Sequence, residues 1–362
     1  MSTEWRSRAR LVVRVLAAVG FSFFAISAIA GTALTGLDAV DDAEARLMTL
    51  DARWIAIALG VWATSLIVQG FRWRALLAVE PRPSPWMMGQ VLFGSNVLNL
   101  ALPGPVGELA AAWYLRHRHG VPMLVGLAAT LAGRLLALTV FGMLTLVLWP
   151  LVASDLPDAL VRWVTPLALM VGLSVVPLLI LGFQRDRVVA LARAAVERLL
   201  SGERRERVLA RILWWVRCFS AVGGVGWTRW AQAVGWCCAN LAILSASTLC
   251  TLRAASIPAD PLGTLFMQSF TAVVSVAGVL VPGGMGAVEV AVIGLFPTFA
   301  QGSTADAVFC AMVFRWVHLL TLLAGVPWMV WLVATLPGRA ESLVPLLQGA
   351  LDQESEAGPG AA

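Results

Sequence analysis

Charge is what this sequence has least of. Asp, Glu, Lys and Arg make up 13% of its 362 residues, against roughly 25% in an ordinary soluble domain. A water-soluble chain of this size could not cover its surface with so few. Lysine is missing altogether, so all 26 basic residues are Arg. There are three His and five Cys, with no C-x-x-C pair among them. That spacing argues against a metal site or a disulfide framework, and no metal or cofactor is expected. The alternating ~10-residue segments of an outer-membrane barrel are absent. So are G-x-S-x-G, H-E-x-x-H and the Walker A pattern. The expectation is therefore a non-enzyme, and transport without an ATP site is passive or ion-driven. A net charge of +5 scattered around apolar segments does not make a nucleic-acid site.

What is present is apolar. Hydrophobic residues reach 59% and mean hydropathy is +0.82. Runs near the ~20 residues that span a bilayer predict an all-α, polytopic integral membrane protein. Six full spans are expected, near 11–34, 54–79, 121–151, 160–183, 227–252 and 305–336. Arg6, Arg8 and Arg10 precede the first span, and Asp38, Asp41, Asp42 and Glu44 follow it. By the positive-inside rule both termini are cytoplasmic, in a cytoplasmic (plasma) membrane. No cleavable signal peptide is evident. Residues 184–217 carry nine Arg, with apolar positions at helical spacing. They predict a cytoplasmic amphipathic segment near anionic headgroups. The tail, 339–362, is polar and expected to be partly disordered.

Two apolar stretches are too short to span. Residues 86–102 stop at Pro103-Gly104-Pro105-Val106-Gly107-Glu108, and 262–281 stop at Pro282-Gly283-Gly284-Met285-Gly286-Ala287-Val288-Glu289. Each is read as one arm of a re-entrant helical hairpin. Broken backbone at membrane depth needs protein or a water-filled cavity around it. Pro103, Gly104 and Gly107 form the first tip or hinge; Pro282, Gly283, Gly284 and Gly286 form the second. Each Glu is followed 26 residues later by an Arg inside a long span: Glu108 by Arg134, Glu289 by Arg315. The halves, 53–151 and 227–336, then enter from opposite sides, giving an inverted repeat within a single membrane domain, 1–362. Interrupted helices at matching positions of such repeats point to a transporter's central site.

A charge at the bilayer centre costs roughly 2.5–3.5 kcal/mol, so these four need a reason. The two Arg offer forked donors suited to phosphate. The two Glu stand near the starts of half-helices, where freed N–H groups favour anions. They can balance the Arg, accept a proton or bind a cationic headgroup. Equally, each Glu can pair with its Arg only to fasten a hairpin to its neighbouring span. Asn96 and Asn99 can line a cavity or bond to freed backbone near the break. Gln268 and Ser269 are weaker counterparts. His318 shares a face with Arg315 one turn away, in a relay or a packing role. His117 and His119 read as a solvated basic flank.

The residues Asn96 to Pro103, then Gly107-Glu108 and Arg116, resemble the first motif of the lysylphosphatidylglycerol synthetase transmembrane-region family, a flippase-like group. Ala128 to Leu136 around Arg134 is similar to its second motif. Pro282 to Glu289 resembles its third, P-G-G-x-G-x-x-E, and Phe314-Arg315 its fourth. Pro105, and Gly133 before Arg134, depart from the family pattern. The resemblance implies movement of a lipid across the membrane. The relatives' soluble aminoacyl-transferase domain has no counterpart here, which suggests a stand-alone member rather than the synthase. The expected function is a lipid flippase or transporter for a phosphate-containing lipid: a phospholipid, a glycolipid or a polyprenyl-phosphate carrier. Glu108, Arg134, Glu289, Arg315, Asn96, Asn99 and His318 would form its binding site. Expected partners are lipids with anionic or phosphate headgroups and, as alternatives, a homo-oligomer or envelope-synthesis enzymes, with nucleic acid excluded. The alternatives are a non-transporting partner of envelope glycosyl- or acyltransferases and, more weakly, an intramembrane lipid-modifying enzyme.

Overall fold

The computed structural model describes residues 49–101, 106–152, 194, 222, 225–277 and 287–334. Among the described residues every regular element is an α-helix, beside one isolated β-bridge between Ala259 and Ala300. The expected spans at 11–34 and 160–183 and the tail lie outside this range. So does the Arg-rich segment, Ala194 aside.

In chain order the helices are α1 (Ala52–Leu76), α2 (Pro85–Ala101), α3 (Val106–His119), α4 (Met123–Val152), α5 (Trp227–Ala254), α6 (Pro261–Ala277), α7 (Ala287–Phe299), α8 (Thr304–Ala324) and α9 (Val326–Ala334). Helices α1, α4 and α5, of 25, 30 and 28 residues, are long and apolar enough to cross a membrane. With its intervening short helices, this is a membrane-embedded, multi-pass helical protein. The span expected over 305–336 is divided instead. It breaks at Gly325, before Pro327, and Met329 N–H bonds to the Gly325 carbonyl at 2.9 Å. Proline has no N–H to continue the ladder, so the chain restarts there.

Among the described residues, helices α1 and α5 make the most extensive contact, and they run in opposite directions. Asp51 N–H donates to the Ala254 carbonyl at 3.1 Å. Ser247 Oγ donates to the Ala58 carbonyl at 2.8 Å, and Phe71 stacks on Trp236 at 4.8 Å. Lipid is as apolar as a side chain, so such contacts rest on close approach and polar bonds between helices. Gly70 shows why: a Cβ there would lie 2.6 Å from both the Gly89 nitrogen and the Pro85 carbonyl of α2.

The neighbours of each half correspond. Helix α2 packs on α3 and α6 on α7; α3 meets α4 and α7 meets α8. Helix α4 reaches across to α6, while α9 reaches back to α2. The second hairpin closes at its base, where Asp260 N–H bonds to the Phe299 carbonyl at 2.7 Å. Arg134 lies eleven residues past the first residue of α4, and Arg315 eleven past the first of α8. At ~1.5 Å per residue each stands about 16 Å along its helix, so the two Arg hold matching positions.

Candidate functional site

The first constellation forms where α2 ends and α3 begins. Glu108 sits in the first turn of α3, where backbone N–H groups lack helical partners. Asn99, near the end of α2, supplies one from outside the helix. Its Oδ1 accepts the Gly107 N–H at 2.7 Å, and its Nδ2 donates to Glu108 Oε1 at 3.0 Å. The same Oε1 pairs with Arg134 of α4. Gly107 permits this approach, because a Cβ would run into the Ser95 carbonyl and Asn99 Oδ1. Thus one amide spans the break and orients the carboxylate.

That carboxylate is only partly spent. Its side chain is 2% exposed, yet Oε2 has no hydrogen-bond partner among the described residues. The Arg134 side chain is 50% exposed, so the pair stands at the edge of the packed interior. Arg72 of α1 approaches from the other side: its Nε lies 3.8 Å from the position of a Cβ on Gly133. The Arg72 guanidinium therefore reaches the α4 backbone beside Arg134.

The second constellation is closed. Arg315 of α8 grips Glu289 of α7 with two parallel bonds, Nε to Oε1 at 2.5 Å and Nη2 to Oε2 at 2.8 Å. Their side chains are 5% and 3% exposed. Such forked geometry is the strong form of the ion pair. In the same half, on α6, Ser269 Oγ accepts from Thr145 of α4 at 2.9 Å, and Gln268 bonds to Thr248 of α5. Both side chains are buried, so they fasten α6 to its neighbours. His318 meets the Trp62 ring of α1 edge-on at 5.3 Å.

Glu108, Arg134 and Asn99 are thus brought together, as are Glu289 and Arg315. Asn96 is half-buried one turn before Asn99, outside that hydrogen-bonded set. Pro103, Gly104, Pro282, Gly283, Gly284 and Gly286 lie outside the described residues. Arg72 was missed by sequence reasoning. It sits in Phe71-Arg72-Trp73-Arg74, which reads as an interfacial anchor. The available signal was helical phase, since alternate residues on α1 face different neighbours. Among the described residues no three of His, Cys, Asp and Glu cluster as metal ligands, and Cys237, Cys238, Cys250 and Cys310 are free thiols.

The family model described as the lysylphosphatidylglycerol synthase TM region matches residues 11–325. No curated protein matches the chain, and no solved structure does.

Proposed function

Because the chain belongs to the lysylphosphatidylglycerol synthase TM region family, we propose that it is a lipid flippase or transporter for a phosphate-containing lipid. The observation that carries this reading is the unequal state of the two Glu–Arg pairs. At the first, a half-exposed guanidinium stands beside a buried carboxylate with an uncommitted oxygen. Arg134 can take a headgroup phosphate, because the fork matches two phosphate oxygens. Glu108 Oε2 can take a hydroxyl, an ammonium or a proton. At the second, the same residue types are locked together.

The opposed directions of α1 and α5 support an inverted repeat, with two re-entrant hairpins meeting near the midplane. In that arrangement one half is open to a headgroup while the other is shut, as alternating access requires. Arg74, Arg82 and Arg229 gather where α1 ends and α5 begins, which supports a cytoplasmic position for that end by the positive-inside rule. The protein works as a carrier in the plasma membrane rather than as an enzyme, and the sequence offers no nucleophile–base motif. The polar fastening around Gln268 and Ser269 favours a second, structural role for the Glu289–Arg315 half. Native mass spectrometry of full-length protein with a mixture of envelope lipids tests the proposal. Wild type should retain a phosphate-bearing lipid that Arg134→Gln releases. Equal retention by folded wild type and variant would remove Arg134 from the site and sink the reading.

A further inference from the structure

A second basic cleft lies on the other side of the α1–α5 seam. It encloses about 400 Å³ between the end of α1 and the start of α5, within the ~300–1,000 Å³ usual for small-ligand sites. Phe71, Arg74, Arg82, Gln232, Gly235 and Trp236 line it. Its chemistry is graded. At the rim, Arg74 Nε donates to the Pro83 carbonyl at 3.0 Å, so its remaining N–H groups stay available. Arg82 pairs with Glu80, which Arg229 also holds at 3.0 Å. Two guanidiniums share one carboxylate and Arg74 adds a third positive charge, leaving an excess. Arg82 Nε is buried without a hydrogen-bond partner. On the same lining, Phe71 and Trp236 stack at 4.8 Å and 24°, making an apolar wall.

Helical phase separates this cleft from the Glu108–Arg134 pair. Phe71 and Arg74 share one face of α1, and Gln232, Gly235 and Trp236 share one face of α5. Arg72 turns away from both: its Nη1 meets Cys237 Sγ at 3.7 Å, and its Nε lies toward Gly133 of α4. The two basic sites therefore occupy opposite sides of the seam.

We propose that this cleft binds a phospholipid, its phosphate on Arg74 and Arg82 and the head of an acyl chain against Phe71 and Trp236. A basic rim above an aromatic wall matches an amphiphile with an anionic head. Free phosphate would use the rim alone. The site is independent of whether the central pair transports anything.

The probe is phosphatidylglycerol carrying a fluorophore on one acyl chain, titrated into full-length protein in detergent. Gly235→Leu is the principal variant. A Cβ at Gly235 meets nothing within 4 Å, so a larger side chain on this lining residue enters without a clash. Leu also favours helix over Gly, which protects the fold. Wild type should show two saturable components that prefer phosphatidylglycerol over phosphatidylcholine. Gly235→Leu and Arg82→Gln should each weaken the same one at least tenfold, and Arg134→Gln should remove only the other. Millimolar glycerol phosphate should leave the probe bound. Unchanged binding in Gly235→Leu overturns the proposal. Displacement by glycerol phosphate assigns the rim to free phosphate and overturns the lipid. A single component, lost in Arg134→Gln alone, moves the lipid to the central pair and overturns the separate site.

Discussion

Replacing Glu289 by Gln removes the carboxylate that grips Arg315. Both side chains are buried, at 3% and 5% exposure. A guanidinium stays protonated in proteins, so a buried charge loses its carboxylate. Breaking a buried pair from one side costs about 3–5 kcal/mol. At about 1.4 kcal/mol per factor of ten, the folding equilibrium falls by roughly a hundred- to a few-thousand-fold. Glu108→Gln makes the same chemical change with a different result. Arg134 is half exposed and can turn its head toward water or headgroups. Its loss should resemble that of an exposed pair, up to about 1 kcal/mol. Tryptophan fluorescence of the full-length protein, followed through SDS unfolding, measures both. Glu289→Gln/Arg315→Met should recover most of the lost stability, since an apolar pair needs no desolvation. Equal losses from the two single variants would refute the reasoning, because burial would then not set the cost.

Two further outcomes follow from local geometry. Gly107→Ala should open the α2–α3 hairpin, because its Cβ meets the Ser95 carbonyl and Asn99 Oδ1; faster proteolysis near residues 99–108 would report it. Glu80 supplies a pH dependence. Its carboxyl is held below its ordinary value, first by the hydrogen bond from Arg82, with the charges of Arg82 and Arg229 adding to it. The stabilisation is present above the ordinary carboxylate value and is lost as pH falls through the lowered one. Hydrogen exchange over residues 77–84 should therefore rise in acid, and Glu80→Gln should abolish that step.

Much of the architecture was legible because membrane burial leaves few ways to read an apolar run. The starts of α1, α4 and α5 fall within two residues of expectation, since charge or Trp marks each boundary. The 26-residue Glu–Arg spacing also carried real information: in both halves the two residues meet. The inequality of those meetings was not legible. Spacing is identical in the two halves, whereas exposure depends on how α2, α3 and α4 close around Glu108. Asn99 was ambiguous in sequence because a cavity-lining amide and a break-spanning amide look alike. The divided last span was hidden by its apolarity, although Gly325 and Pro327 were the local signal. The α1–α5 cleft was invisible for another reason. Of its two Arg, Arg74 comes from a motif that serves equally as an interfacial anchor and Arg82 from the loop that follows, and only the antiparallel partner gives them a wall.

The central claim is that lipid crosses at the open Glu108–Arg134 pair. The direct measurement is the rate at which full-length protein in liposomes moves a fluorescent phosphatidylglycerol between leaflets, read by dithionite quenching. The account predicts that wild type moves the lipid faster than protein-free liposomes, and that Arg134→Gln, folded and reconstituted to equal density, falls back to the protein-free rate. Transport by Arg134→Gln at the wild-type rate would contradict it.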